Sequence, residues 1–330
     1  IDVINKYGVD SLRYFLATTA TPGLDMRYEE EKVQAANNYL NKIWNSARYI
    51  LMTIPEDFKN QNVDTKKLNS IDKYILTKLE ETVKKVTKYM DKYEYGIASS
   101  VLYNFVYDDF CSTYLEYTKV SLNNENNYNY GTYRTLLKVL KAVVMMIYPF
   151  SPFISEEIYL NLPEHKDSVE DYPVFEKKFV FAKDIRKVNK LNQAIESIRS
   201  YKVNNKLAPN TSISLSVMGD FSKDLLPYLA RFSFAKDSQI VKEEVKNSTA
   251  FVLDGFTLFI IDNVDKSELI NTLKKQQNGL ESEIKRSEGL LNNSNFVAKA
   301  PKAKIDIETA KYENYKKQLE EILNKIKNLG

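Results

Sequence analysis

From Ile270 to Leu291 the chain reads INTLKKQQNGLESEIKRSEGLL, and from Tyr312 to Leu329 it reads YENYKKQLEEILNKIKNL. In the first run Ile270, Gln277, Ile284 and Leu291 recur every seven residues, with Leu273, Leu280 and Ser287 three positions after the first three. In the second, Tyr312, Leu319 and Ile326 form one row, and Tyr315, Ile322 and Leu329 form the other. Two seams this narrow, each at heptad spacing, need a partner helix. Between them stands Asn292-Asn293-Ser294-Asn295-Phe296-Val297-Ala298-Lys299-Ala300-Pro301. Its Asn and Ser side chains compete for backbone hydrogen bonds and Pro301 has no N–H, so the helix breaks there. The two runs are therefore predicted to fold back on each other as an antiparallel coiled-coil hairpin. Each helix has roughly 25 residues and a reach of about 35 to 40 Å at 1.5 Å per residue.

Charge follows the same division. From Lys266 to Gly330 there are 13 Lys or Arg against 9 Asp or Glu, a surplus of four, whereas the whole chain carries +3. Lys299, Lys302 and Lys304 cluster around the tip, with no acidic residue between Glu288 and Asp306. A solvated coiled-coil exterior and contact with a polyanion both fit that pattern.

The rest of the composition excludes more than it assigns. With 330 residues, 43% of them hydrophobic, the chain has room for two or three domains with real cores. No apolar run approaches the ~20 residues needed to cross a bilayer, so a cytoplasmic protein with no membrane contact is expected. The chain opens at Ile1 in what reads as mid-helix sequence, which predicts an excised portion of a longer protein. Its one cysteine, Cys111, lies in an apolar helical pattern and is expected to be a buried structural thiol. Its one histidine, His165, lies in a loop. One residue of each kind cannot build a Cys/His zinc site, nor a usual serine or cysteine triad unless His165 takes part. No glycine-rich phosphate loop occurs.

Residues 1 to about 165 read as nearly pure helix. From Glu29 to Met52, Val33, Ala36, Leu40, Ile43, Trp44, Ala47, Ile50 and Leu51 recur at three and four, a core-facing stripe. Ser70 is read as the N-cap of the next helix. Leu102, Val106, Phe110 and Tyr114 then mark a long helix at intervals of four. A helix from Tyr133 must stop near Pro149, and a short one from Phe153 to Leu162 closes an up-and-down bundle. Beyond Tyr172 the pattern changes. A helix from about Lys183 to Tyr201 leads to period-two segments at Ile213–Val217 and Gln239–Val245, and Asp254-Gly255 joins Ala250–Leu253 to Phe256–Ile261 as a hairpin. The fold class predicted is mainly α: a helical bundle, a small α/β module and the terminal hairpin. The expected division is 1–30, 31–170, 171–264 and 265–330.

Adjacent carboxylates at Asp108 and Asp109 point about 100° apart on a helix and are read as structural. More informative is the polar stripe Gln34, Asn38, Asn41, Asn45 and Arg48, flanked by Lys42. Exposed helix faces usually carry Lys and Glu, whereas repeated amides suit base edges and an Arg suits phosphate or stacking. A solvated face and an RNA-reading face both remain open on these residues alone. Tyr28 and Tyr49, near the stripe, are the candidate stacking partners.

Several motifs carry a resemblance. Asp2-Val3-Ile4 with Tyr7-Gly8-Val9-Asp10-Ser11-Leu12-Arg13, and Gly23-Leu24-Asp25-Met26-Arg27-Tyr28, resemble segments that follow the ATP-binding loop of class I aminoacyl-tRNA synthetases. Asn41-Lys42-Ile43-Trp44-Asn45 with Arg48, and Phe110-Cys111 with Tyr114-Leu115-Glu116 and Lys119, resemble helices of the anticodon-binding bundle. Pro149-Phe150-Ser151-Pro152-Phe153-Ile154-Ser155-Glu156-Glu157-Ile158 resembles the motif near its end. Asn295-Phe296-Val297 with Lys299-Ala300-Pro301 between heptad helices is similar to the tip of the C-terminal tRNA arm of valyl-tRNA synthetases. Tyr107, Tyr148 and Tyr172 stand where the family usually has Trp, His and Trp.

The resemblance implies an anticodon-binding domain at 31–170, preceded by a stem-contact segment at 1–30, and a tRNA arm at 265–330. Nucleotide-binding and editing domains are expected upstream of residue 1, so ATP and Mg would belong to the parent ligase, with no cofactor, metal or catalytic residue in this region. Valine tRNA and the parent's own catalytic and editing domains are the implied partners, with no DNA, for a monomer. Toward the anticodon and stem it implies Arg13, Arg27, Asn41, Lys42, Asn45 and Arg48; on the arm it implies Lys285, Arg286, Asn295, Phe296, Lys299 and Lys302. A rival of another class is a coiled-coil scaffold that binds no RNA, with Gln277 and Ser287 setting register for an external helix. A third is a partner in ribosomal RNA.

Overall fold

The structure is a computed structural model that describes residues 1–19, 25–59, 65–123, 129–169, 180–262, 267–292 and 302–329. It divides into two compact units, one of residues 1–195 with 221–232 and one of residues 196–220 with 233–330.

The first unit is helical. Helices α1 (Asp2–Tyr7), α2 (Val9–Thr19) and α3 (Glu30–Thr53) open it. Glu30 and Glu31 place negative charge in the first turn of α3, where the helix dipole favours it. The predicted stripe of α3 is buried at Val33, Ala36, Leu40, Ile43, Ala47 and Ile50, and Tyr39 joins it. Helix α4 (Ser70–Met90) starts one residue earlier than expected from its cap. Asn69 is the N-cap, its Oδ1 accepting the Asp72 N–H at 2.7 Å, because the Ser70 hydroxyl is taken up in a 2.8 Å bond to Asp224.

The apolar row Leu102, Val106, Phe110 and Tyr114 is wholly buried. It does not run on one α-helix. α5 (Tyr95–Asn104) passes into a π-helical stretch, Phe105–Tyr114, and then into α6 (Leu115–Asn123). A strict four-residue repeat drifts around a 3.6-residue helix, and the wider π turn, rotating less per residue, offsets that drift and keeps the row on one face. Ser112 Oγ caps a carbonyl of the widened turn, donating to Tyr107 O at 2.7 Å.

Helix α7 (Asn129–Ile147) is buried nearly all round, from Leu136 and Leu137 to Val143, Val144 and Ile147, and so forms the centre of the bundle. Helix α8 (Pro152–Leu160) follows, with Pro at its first position. Its orphan N–H groups are satisfied from α2, where Asp10 accepts from Ile154 N at 2.7 Å and from Phe153 N at 3.4 Å. Residues 221–232 belong to this unit, and most of them form α10 (Leu226–Ser233), a helix absent from the sequence reading. Tyr228 there meets Ser121 at 2.7 Å, and its ring and that of Phe232 pack edge-on against Tyr117.

In the second unit β1 (Ile213–Gly219), β2 (Ala235–Val241), β3 (Thr249–Leu253) and β4 (Phe256–Ile261) form one sheet in the order β2-β1-β4-β3. The hairpin at Asp254-Gly255 is present, antiparallel, with Gly255 at φ 78°. Gly219 is also required: at φ 108°, a Cβ would sit 2.8 Å from Gly255 O. The strand expected at Gln239–Val245 forms instead at Ala235–Val241. Parallel pairing with β1, Ile213 against Ala235, sets its register, and alternation alone could not see that partner. Helix α9 (Ala182–Asn204) leads into this unit, where buried Lys202 donates to the carbonyls of Pro209, Thr211 and Ser233 at 2.9, 2.7 and 2.7 Å.

The terminal hairpin forms as read: α11 (Ser267–Leu291) packs along α12 (Lys302–Leu329). Leu273 and Ser287 are buried, and the heptad rows of α12 extend back to Glu308, buried as well. Ser287 Oγ donates to Glu308 Oε1 at 2.7 Å inside this seam, while Gln277 bonds Glu281 on its own helix. The expectation that these two set register for an external helix is corrected, because the seam closes within the chain. The tip itself, 293–301, lies outside the described residues.

Candidate nucleic-acid interface

Helical spacing alone puts Gln34, Asn38, Asn41, Asn45 and Arg48 on one side of α3, and all five are exposed there. Opposite this edge stand the end of the π stretch and the start of α6. Together they enclose a cavity of about 410 Å³, lined from α3 by Asn38, Asn41, Lys42, Asn45, Ser46 and Tyr49 and from the other side by Cys111, Leu115, Glu116 and Lys119. That volume lies within the range of small-ligand sites.

The floor is fixed. Ser46 Oγ donates to Lys42 O at 2.8 Å and meets Cys111 Sγ at 3.1 Å. Cys111 is buried, which pushes its thiol up against the opposing pull of Ser46 and of the Lys42 charge, so it is the inert thiol expected. Lys42 is held on two sides: Nζ donates to Ser112 Oγ at 3.0 Å and lies 3.4 Å from the centre of the Tyr107 ring. It therefore pins the π stretch to α3 as well as lining the cavity. At the rim Lys119 pairs with Glu116 at 2.6 Å, and its ammonium lies 5.7 Å from the centre of the Tyr49 ring.

Of the residues singled out in the sequence, Asn41, Lys42 and Asn45 are brought together here, and Arg48 continues their face. Arg13 on α2 and Arg27 before α3 are exposed but do not line the cavity. Tyr28 is half-exposed, its ring edge-on to Phe15 at 6.1 Å. On the arm Lys285 is exposed, and Arg286 is partly engaged with Glu283 at 3.3 Å and Glu308 at 3.8 Å. Asn295, Phe296 and Lys299 lie outside the described residues, as does the side chain of Lys302. The readings at Asp109 and His165 are quiet ones. Asp109 accepts from Tyr74 OH at 2.8 Å, and the His165 Nδ1 meets Lys166 O at 3.0 Å. Among the described residues no three His, Cys, Asp or Glu side chains converge as metal ligands.

The sequence reading did not name Ser46, Leu115, Glu116 or Lys119 as site residues. Glu116 and Lys119 one helical turn apart were visible, but nothing local said that α6 faces α3, some 70 residues away.

Comparison with known proteins bears on the same regions. A family model described as the anticodon-binding domain of tRNA ligase matches residues 72–217, and one described as the valyl tRNA synthetase tRNA binding arm matches residues 265–330. The first begins after α3, so only the α6 wall of the cavity falls inside it. Curated relatives cover α3 too. A valine–tRNA ligase of Mesoplasma florum is 38% identical over 99% of this chain, one of Mycoplasma mycoides is 37% identical over 100%, and one of Clostridium acetobutylicum is 33% identical over 99%. The chain spans 38% of the length of each of these relatives. With an anticodon-binding domain and an arm described for a single synthetase on one polypeptide, the chain belongs to the valyl-tRNA synthetase family.

Proposed function

We propose that the chain is the tRNA-recognition region of a valine–tRNA ligase. The α3 face and the cavity beside it hold unpaired bases of the anticodon loop, with Asn41, Asn45 and Arg48 as the reading groups and Lys42 as the group that fixes the wall. Residues 1–30, through Arg13 and Arg27, approach the stem. The arm at 265–330 meets the outer corner of the folded tRNA through Lys285, Arg286, Asn295, Phe296, Lys299 and Lys302. The α/β segment at 171–264 joins the two.

The observation that supports this reading most is the make-up of the cavity. Three amides, two ammonium groups and a tyrosine ring gathered at one opening suit an unstacked base, which can be hydrogen-bonded on its edges and stacked on its face. Holding a tRNA at two distant places fixes where its acceptor end lies, and that orientation raises the rate of a reaction carried out elsewhere. The reaction is the parent's ATP-dependent attachment of valine, in the cytoplasm. ATP and Mg belong to that parent, and no residue of this region is assigned to them. The region binds as a monomer.

A titration of the chain with a valine tRNA, and with the same tRNA carrying an altered anticodon, at two salt concentrations, tests the reading. Tighter binding of the first at both salts is expected. Equal, salt-sensitive binding would leave only a basic arm, and no binding to either would return the chain to the protein-scaffold class.

A further inference from the structure

Glu116 is the one carboxylate among the described residues lining the cavity. A carboxylate at an RNA-facing opening repels phosphate, and Lys42, already committed to Ser112 and the Tyr107 ring, cannot compensate for it. The opening is therefore set for an occupant that offers N–H groups. One Glu116 oxygen is bridged to Lys119 Nζ at 2.6 Å, and the two side chains remain 44% and 48% exposed. The pair thus presents one acceptor beside one donor at the spacing of a base edge. Tyr49 lines the same cavity and gives a ring face for stacking.

We propose that Glu116 is a specificity-determining residue: its carboxylate accepts a hydrogen bond from the exocyclic amine of one unpaired base, while Lys119 donates to the ring nitrogen next to that amine. The occupant is an adenine or a cytosine. Carboxylate side chains pair with such amines in nucleic-acid readout. Guanine sets two N–H donors side by side, and one of them would face the ammonium. Uracil flanks its single N–H with carbonyl oxygens, and the carboxylate would oppose one of them. The inference rests on the tRNA-recognition reading above.

The test uses the 330-residue chain and a set of valine tRNA transcripts in which each anticodon-loop base is replaced in turn by the other three. At one loop position, exchange of an amine-bearing base for guanine or uracil is expected to weaken binding by about tenfold or more. Glu116→Gln, the same size but offering a donor and an acceptor, is expected to bring that ratio to within about threefold, leaving the salt dependence of binding unchanged. Thermal melting checks that the variant folds, and Glu116→Ala provides a second loss of the acceptor. Full discrimination retained by both variants while tRNA still binds overturns the role of Glu116 and leaves the recognition reading standing. No tRNA binding by the unsubstituted chain overturns both.

Discussion

Asp72 is the residue whose chemistry departs most from what its type suggests. It is completely buried between α4, the π stretch and α7, and loss of solvent pushes its carboxyl up to about 7 despite hydrogen bonds from Tyr114 and Thr132 at 2.7 and 2.9 Å. Because the folded value lies above the ordinary 3.8, the folded chain binds more protons than the unfolded chain between about 4 and about 7. The contribution is complete below the unfolded value and lost as pH rises through the folded one. Thermal melts from pH 4 to 8 are expected to show a loss on the order of a few kcal/mol with rising pH, and Asp72→Asn to flatten that slope. Lys202 is the opposite case, a buried cation whose three donors all reach carbonyls. Lys202→Met strands those oxygens and is expected to cost roughly 3 kcal/mol in urea unfolding, a cost that no surface lysine would show.

Among the elements, the arm carries its specificity in one polar contact. An all-apolar heptad seam allows neighbouring registers, whereas the Ser287–Glu308 bond, with Arg286 and Lys311 each 3.8 Å from Glu308, is satisfied in one alignment. Ser287→Ala leaves a buried acceptor short of a donor and is expected to destabilise the arm by about 1–2 kcal/mol in denaturant melts followed by circular dichroism. Ser287→Ala combined with Glu308→Leu is expected to recover that loss or exceed it, with sedimentation then showing arms that associate in more than one way. The heptad rows were legible residue by residue, since periodicity is a local property. The π stretch was legible only as an i, i+4 row, and β2 was misread by four residues at its start, because alternation there is weaker than the pull of a parallel neighbour. α10 gave a poor local signal, since eight residues are too few for a clear helical period.

At the scale of the whole molecule the reading divides the work between a face that discriminates and an arm that adds affinity. Reversal of Lys299 and Lys302 to Glu is expected to weaken tRNA binding and to lower the slope of log affinity against log salt by about 0.9 for each phosphate no longer neutralised, measured by titration at several salt concentrations. Arg48→Ala is expected to reduce discrimination between anticodons more than affinity for any one of them; an equal drop in affinity for all tRNAs would make Arg48 a phosphate-binding residue instead. Family membership could be read from the sequence because it rests on runs of residues adjacent in the chain, and so could the two seams, the α3 stripe and the Asp254-Gly255 turn. Those features depend on local spacing, chirality and turn chemistry, which each segment carries with it. The cavity could not be read, nor could the buried ionisation of Asp72, the carbonyl cage of Lys202 or the closure of the seam on Glu308. Each of these depends on which distant segment becomes a neighbour and how much water it displaces, and that is settled only when the helices pack.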